Sequence, residues 1–218
     1  MLKKVAVIHT SLAILEAVDK QIMEDFPDAD IHNIIDQRIL QDVIDNGGIN
    51  TSVIKRMCLY TQAAEDMGAD VVLNACSSVG EAFDIARQLV KIPTLKIDDP
   101  MAKLAVEKGC NIGVYGTVPT TLAPSCRLIE KVAREMNKDV KVVPHLVAGA
   151  FQILADEKNP QKHNDMVLTE IYATHIEHDV LVLAQASMAV VIPALRDLEK
   201  PVLYSLQSGI KQLASVLK

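Results

Sequence analysis

The chain repeats itself. Asp70-Val-Val-Leu-Asn-Ala-Cys-Ser-Ser78 lies without a gap on Asp179-Val-Leu-Val-Leu-Ala-Gln-Ala-Ser187, at an offset of 109 residues, with Asp, Val, Ala and Ser coinciding. Thr10 matches Thr117 at an offset of 107, and Pro93 matches Pro201 at 108. Collinear matches at half the length of a 218-residue chain mark a duplicated unit. Each half reads β, helix, β, two helices, β, helix, β, helix. The strands are expected at Val5–Ile8, Ile31–Ile35, Val71–Ala75, Thr94–Ile97, Ile112–Gly116, Lys141–Val143, Val180–Ala184 and Val202–Tyr204. They are apolar throughout rather than alternating, as in a parallel sheet covered on both faces. The expected fold is α/β: two pseudo-symmetric, doubly wound parallel-sheet domains from an internal duplication, with the site in the cleft between them. Residues 1–98 plus 206–218 form the first domain and residues 99–205 the second.

Composition narrows the function. With 22 basic against 28 acidic residues, 3% aromatics and no Trp, the chain lacks the charge and the stacking surfaces for nucleic acid. Half of it is hydrophobic, enough for a core. Lys3-Lys4 and the apolar run Val5–Ile8 resemble a leader, but His9, Thr10 and Ser11 interrupt it. The longest uncharged stretches are short or broken by Gly, Pro and Thr, so no membrane partner is expected. Cys58, Cys76, Cys110 and Cys126 lack the paired spacing of a zinc site or disulfide scaffold and read as reduced thiols in a cytoplasm. No glycine-rich phosphate or dinucleotide motif occurs, and no cofactor is expected. His175 and His178 near Glu177 suit a helix end better than a metal. His32 and His163 read as surface residues. A homo-oligomer is compatible with all of this.

In open parallel sheets, ligands bind beyond the carboxyl ends of the strands. In the first half those positions hold His9, Thr10, Ser11, Asp36, Cys76, Ser77, Ser78 and Asp98. In the second they hold Thr117, Pro119, Thr120, Thr121, His145, Gln185, Ala186 and Ser187. This hydroxyl-rich set suits a small oxygen-bearing anion. Cys76 stands between a strand and a helix that Ser78 and Glu81 are expected to open as a capping box. A thiol there feels the positive helix end, which lowers its pKa toward neutrality and equips it as general base or nucleophile. His145 is expected just past the sixth strand, as Asp36 follows the second, at an offset of 109. There it serves either as a second base or as a partner for a neighbouring loop.

Asn74-Ala-Cys76-Ser-Ser78 resembles the first cysteine motif of the cofactor-independent aspartate/glutamate/hydantoin racemase superfamily. Val182-Leu-Ala-Gln185-Ala-Ser-Met188 resembles its second motif, and Gly116-Thr-Val-Pro-Thr-Thr121 and Ile97-Asp-Asp-Pro-Met101 resemble stretches of one branch. The resemblance implies two α/β domains and two cysteines on opposite faces of a carbon beside a carboxylate. Cys76 matches the first cysteine. Thr10, Ser11, Ser77, Ser78, Thr117 and Ser187 match positions that hold the carboxylate. Gln185 stands where the second cysteine belongs, and an amide donates hydrogen bonds but does not trade a proton. The implied function is cofactor-independent proton transfer by an isomerase acting on an amino acid or related small acid. A one-cysteine decarboxylase or lyase, and a carboxylate-binding relative without turnover, stand as alternatives.

Overall fold

The computed structural model describes residues 3–217. In chain order its elements are β1 (Lys3–His9), α1 (Leu15–Asp25), β2 (Ala29–Ile35), α2 (Gln37–Asp45), α3 (Thr51–Asp66), β3 (Val71–Asn74), α4 (Gly80–Ala86), β4 (Thr94–Lys96) and α5 (Asp99–Lys108). There follow β5 (Asn111–Gly116), α6 (Pro119–Glu135), β6 (Lys141–Leu146), α7 (Ala150–Ala155), α8 (Pro160–Thr174), β7 (Val180–Leu183), β8 (Val202–Tyr204), α9 (Ser205–Lys211) and α10 (Ala214–Leu217). The expected α/β order holds, with one departure. Where α4 joins β3 to β4, a 3-10 stretch, Ala186–Leu195, joins β7 to β8. It contains Pro193, which has no N–H to give to a regular helical ladder.

The chain divides into two compact units, one built from the chain up to Asp99 together with Leu206 onward, the other from Pro100 to Ser205. Each contains a four-stranded parallel sheet, ordered β2-β1-β3-β4 in the first and β6-β5-β7-β8 in the second. In the first unit, Val5, Val7, Val71 and Leu73 face Val18 and Ile22 of α1 and Ile210 of α9. On the opposite face, Ala6, Ile8 and Val72 pack against α2, α3 and α4. In the second, Ile112, Val114, Val180 and Val182 face α5 and α6, and Tyr115, Leu181 and Leu183 face α7, α8 and the 3-10 stretch. The inner strands β1, β3, β5 and β7 are buried on both faces, which is why they carry no polar alternation.

Backbone pairing supplies the true equivalences between the halves. Val72 N–H donates to the Pro93 carbonyl at 2.9 Å, and Leu181 N–H donates to the Pro201 carbonyl at 2.9 Å. Ala75 N–H reaches Ile8 at 3.0 Å as Ala184 N–H reaches Tyr115 at 2.9 Å, so Cys76 and Gln185 occupy one topological position. The match of Asp36 with His145 does not survive. Asp36 N–H bonds the His9 carbonyl at 3.0 Å, and the corresponding donor to Gly116, at 2.9 Å, is Val147. His145 lies inside β6, paired with Tyr115. Pro144 reads in the sequence as the end of the strand, but β6 is an edge strand and tolerates a residue without an N–H.

Candidate active site

The first unit gathers His9, Thr10, Ser11, Cys76, Ser77 and Ser78 at the carboxyl ends of β1 and β3. Cys76, rather than Ser78, takes the N-cap position: it is extended, with φ −134° and ψ 115°, and a 3-10 turn over Ser77–Val79 leads into α4. The Thr10 hydroxyl and the N–H groups of Ser78 and Val79 are the donors about its sulfur, which closes no capping hydrogen bond. Those donors favour the thiolate, but burial outweighs them and the Asp98 charge adds to it, so the thiol is pushed above its ordinary pKa. The expected drop toward neutrality is therefore corrected. The donors are present, but burial outweighs them.

Around the thiol the polar groups are tightly assigned. Asn74 is fully buried and donates from Nδ2 to the Cys76 carbonyl at 2.9 Å. Ser11 caps the turn that follows β1, its Oγ accepting from Ala13 N–H at 3.2 Å. His9 places Nε2 3.0 Å from Asn33 Oδ1, while Asn33 Nδ2 donates to Asp19 at 2.8 Å. The amide's orientation makes Nε2 the donor and leaves a lone pair on Nδ1, and burial holds the imidazole pKa below its usual value. That Nδ1, Asn74 Oδ1 and Asp98 Oδ1 are buried without a hydrogen-bond partner.

Asp98 was legible only as a residue past a strand. It is 3% exposed, and Ser77 hydrogen-bonds its carboxyl. Burial and the neighbouring Asp99 raise its pKa to about 6, against the pull of Lys96. Lys96 itself is buried, ion-paired to Asp84 at 3.1 Å and Asp99 at 3.4 Å.

The second unit gathers Thr117, Thr120, Thr121, Gln185, Ala186 and Ser187 at the ends of β5 and β7. Gln185 is the N-cap of its 3-10 stretch with φ −123° and ψ 130°, close to the Cys76 values. Its Oε1 accepts from Thr117 N–H at 2.6 Å and Thr117 Oγ1 at 3.0 Å. The oxygen is thereby fixed on Thr117, and the NH2 keeps both donors unused among the described residues. Thr117 and Thr121 are buried, Ala186 and Ser187 half-buried, and Thr120 Oγ1 is buried without a partner.

His145 does not join this group. Its ring stacks on Tyr115 with centroids 4.6 Å apart. Its Nδ1 lies 3.2 Å from Glu170 Oε1 and its Nε2 2.8 Å from His178 Nε2. Both nitrogens have partners within the second unit. His178 fits beside Gly113, the glycine within β5, because a Cβ at that position would run into the ring. An isolated strand glycine is the sequence signal for such a close approach, and it was available. His175 turns away, its Nδ1 3.1 Å from the Tyr172 carbonyl. Among the described residues no cluster of three or more His, Cys, Asp or Glu is disposed to hold a metal ion. His163 is buried rather than superficial, on the α8 face shared with Val167 and Ile171. No helix of the described residues is long and apolar enough to cross a membrane.

Two four-stranded parallel sheets of this order are the architecture of two-domain racemases. The chain is similar to a glutamate racemase from Bacillus anthracis at a TM-score of 0.73 and 18% identity, covering 99% of this chain and 81% of that one. It is similar to an allantoin racemase from Klebsiella pneumoniae at 0.73 and 18%, covering 98% and 86%. A mutant of arylmalonate decarboxylase superposes at 0.63 with 13% identity, covering 98% and 93%. A search of curated proteins returns no match. The family model for Asp/Glu/hydantoin racemase matches residues 5–213, and the chain belongs to that family.

Proposed function

We propose that this protein is an enzyme that moves a proton at the carbon next to a small acid's carboxylate, with Cys76 as the group that moves it and no cofactor. The observation that carries the reading is the Cys76 environment: a half-buried thiol at the carboxyl end of β3, at the N-cap of the turn into α4, with the Thr10 hydroxyl among the groups that favour its thiolate. In the exchange direction the thiolate takes the proton from carbon, and the electron pair passes into the carboxylate to form an enediolate. Hydrogen-bond donors stabilise that oxygen, and the thiol then returns a proton to the carbon. Hydroxyls and N–H groups at Ser77 and Ser78, next to Cys76, hold the carboxylate.

One observation favours a second reading within the same chemistry. The resting thiol is held protonated, and Gln185 has no proton to trade. A site of that kind gives a proton to one face only. In a decarboxylation, the carbon–carbon bond to CO2 breaks, its electrons form the enediolate, Cys76 protonates it, and solvent reprotonates the thiolate.

A panel of amino, hydroxy and malonic acids in D2O tests both readings. The expected result is deuterium at the carbon beside the carboxylate with configuration retained, or loss of CO2 with deuteration on one face, either abolished by Cys76→Ala. Turnover that persists in Cys76→Ala, or no exchange and no CO2 with any acid, overturns the proposal.

A further inference from the structure

We propose that Asp98 is a positioning residue of the Cys76 site, whose buried carboxylate keeps the neighbouring thiol in its protonated, proton-giving form. The inference rests on the reading of Cys76 as the group that moves the proton. Three observations converge on it. Asp98 is hydrogen-bonded by Ser77, the residue next to Cys76 in the chain. It is more than nine-tenths buried, and its Oδ1 has no hydrogen-bond partner. Asn74 of β3 pairs with Lys96 of β4, and Ile97 N–H donates to the Asn74 carbonyl at 3.0 Å, so Asp98 leaves β4 alongside Cys76 leaving β3, where its charge opposes the thiolate.

A carboxylate buried beside a lysine is ordinarily a structural ion pair, but Lys96 takes its ion-pair contacts from Asp84 on α4 and Asp99 on α5, at 3.1 and 3.4 Å. Arg87 lies with Asp84 at 3.5 Å and is likewise committed. Asp98 is left with Ser77, its own backbone N–H and the field of Lys96. A buried carboxylate with one oxygen unpaired costs stability. This one adds its charge to the burial that already holds the proton on Cys76. Two acids that close cannot both ionise easily, so the first proton leaves Asp98 and the second is retained on sulfur. Above the Asp98 titration the thiol stays loaded, ready to protonate an enediolate on its own face.

The test follows Cys76 directly, independent of turnover. Iodoacetamide modification is timed from pH 5 to 10 and read by peptide mass spectrometry, so that Cys76 is separated from the exposed Cys110. In Asp98→Asn, Cys76 should react about tenfold faster at pH 7, its profile displaced to lower pH by about one unit. The unaltered protein supplies a second measurement: its plot of log rate against pH should flatten near pH 6, where Asp98 ionises and the thiol loses acidity. A straight wild-type profile overturns the proposal, as does an Asp98→Asn rate equal to or below that of the unaltered protein. A Cys76→Ala variant that still turns over would sink the functional reading and leave the titration result standing.

Discussion

The Nε2 atoms of His145 and His178 stand 2.8 Å apart, so one ring donates and the other accepts, and at most one of the two nitrogens carries a proton. Around them lie Tyr115 from β5, Glu170 and Thr174 from α8, and Asn111 at the start of β5, with Glu177, Lys200 and Lys141 acting on His178 through their charges. Burial, and secondarily the His145 charge, hold the His178 pKa below the ordinary imidazole value. A depressed histidine adds stability above its unfolded pKa of 6.5 that is lost as pH falls through the folded value. The melting temperature should therefore fall between pH 7.5 and pH 5. In His178→Gln that fall should shrink by several degrees. An unchanged pH dependence would show that the histidine pair does not titrate on unfolding.

Asp98 carries the opposite sign. Its folded-state pKa is raised from 3.8 to about 6, so the folded state holds a proton that the unfolded chain releases. Stability is unaffected below pH 4 and declines as pH rises through 6. Asp98→Asn should raise the melting temperature by several degrees at pH 7.5 and by little at pH 4. Equal shifts at both values would assign the effect to packing instead.

Thiol reactivity should follow exposure before acidity. Cys110 is exposed, Cys76 is half-buried with its pKa raised, and burial lifts Cys126 to about 11. At pH 7.5 the order of alkylation should be Cys110 first and Cys126 last, with Cys76 slowed further by a small dicarboxylate. Fastest labelling at Cys76 would mean that the thiolate dominates at rest.

Gln185→Cys restores a thiol at the position equivalent to Cys76. If Gln185 is what confines proton return to one face, this variant should convert retention into racemisation on a substrate that the unaltered protein only exchanges. Gln185→Leu, which keeps the volume but removes the NH2, should lower kcat by about a hundredfold. Retained stereochemistry in Gln185→Cys, with folding intact, would remove Gln185 from the account.

Gly113→Ala should cost about 2 kcal/mol or more, because the added Cβ meets the buried His178 ring, with Cγ at 2.8 Å. Denaturant titration reads this directly; a loss under about 0.5 kcal/mol would mean that the ring moves freely.

The architecture was written in the sequence because a strand buried on both faces must be apolar along its whole length, and a duplication supplies two chances to see the same pattern. Cys76, Gln185 and Thr117 were legible for the same reason: topology alone delivers the residue after a strand to the sheet's carboxyl end. His145 was misplaced by two residues because Pro144 imitates a strand end, and only pairing with β5 shows the edge position that tolerates it. His163 was judged by polarity, although its spacing from Val167 and Ile171 puts it on their buried face. The charge state of Cys76 was beyond reach, since it depends on how much burial the fold imposes. Asp98 was beyond reach likewise, because its pKa is set by groups on β4 and α5 that only the fold assembles around it.

The chain's last helices complete the sheet that its first residues begin. Ile210 and Leu213 lie fully buried against the face of Val5, Val7 and Leu73, and a Cβ at Gly209 would strike the Ile97 carbonyl. The unit from Pro100 to Ser205 is continuous and can close as soon as it leaves the ribosome. The other needs α9, from beyond that unit, to cover the apolar face of β1 and β3. The half carrying Gln185 is thus one unbroken stretch, whereas the half carrying Cys76 cannot close its core until chain from both sides of that stretch is present.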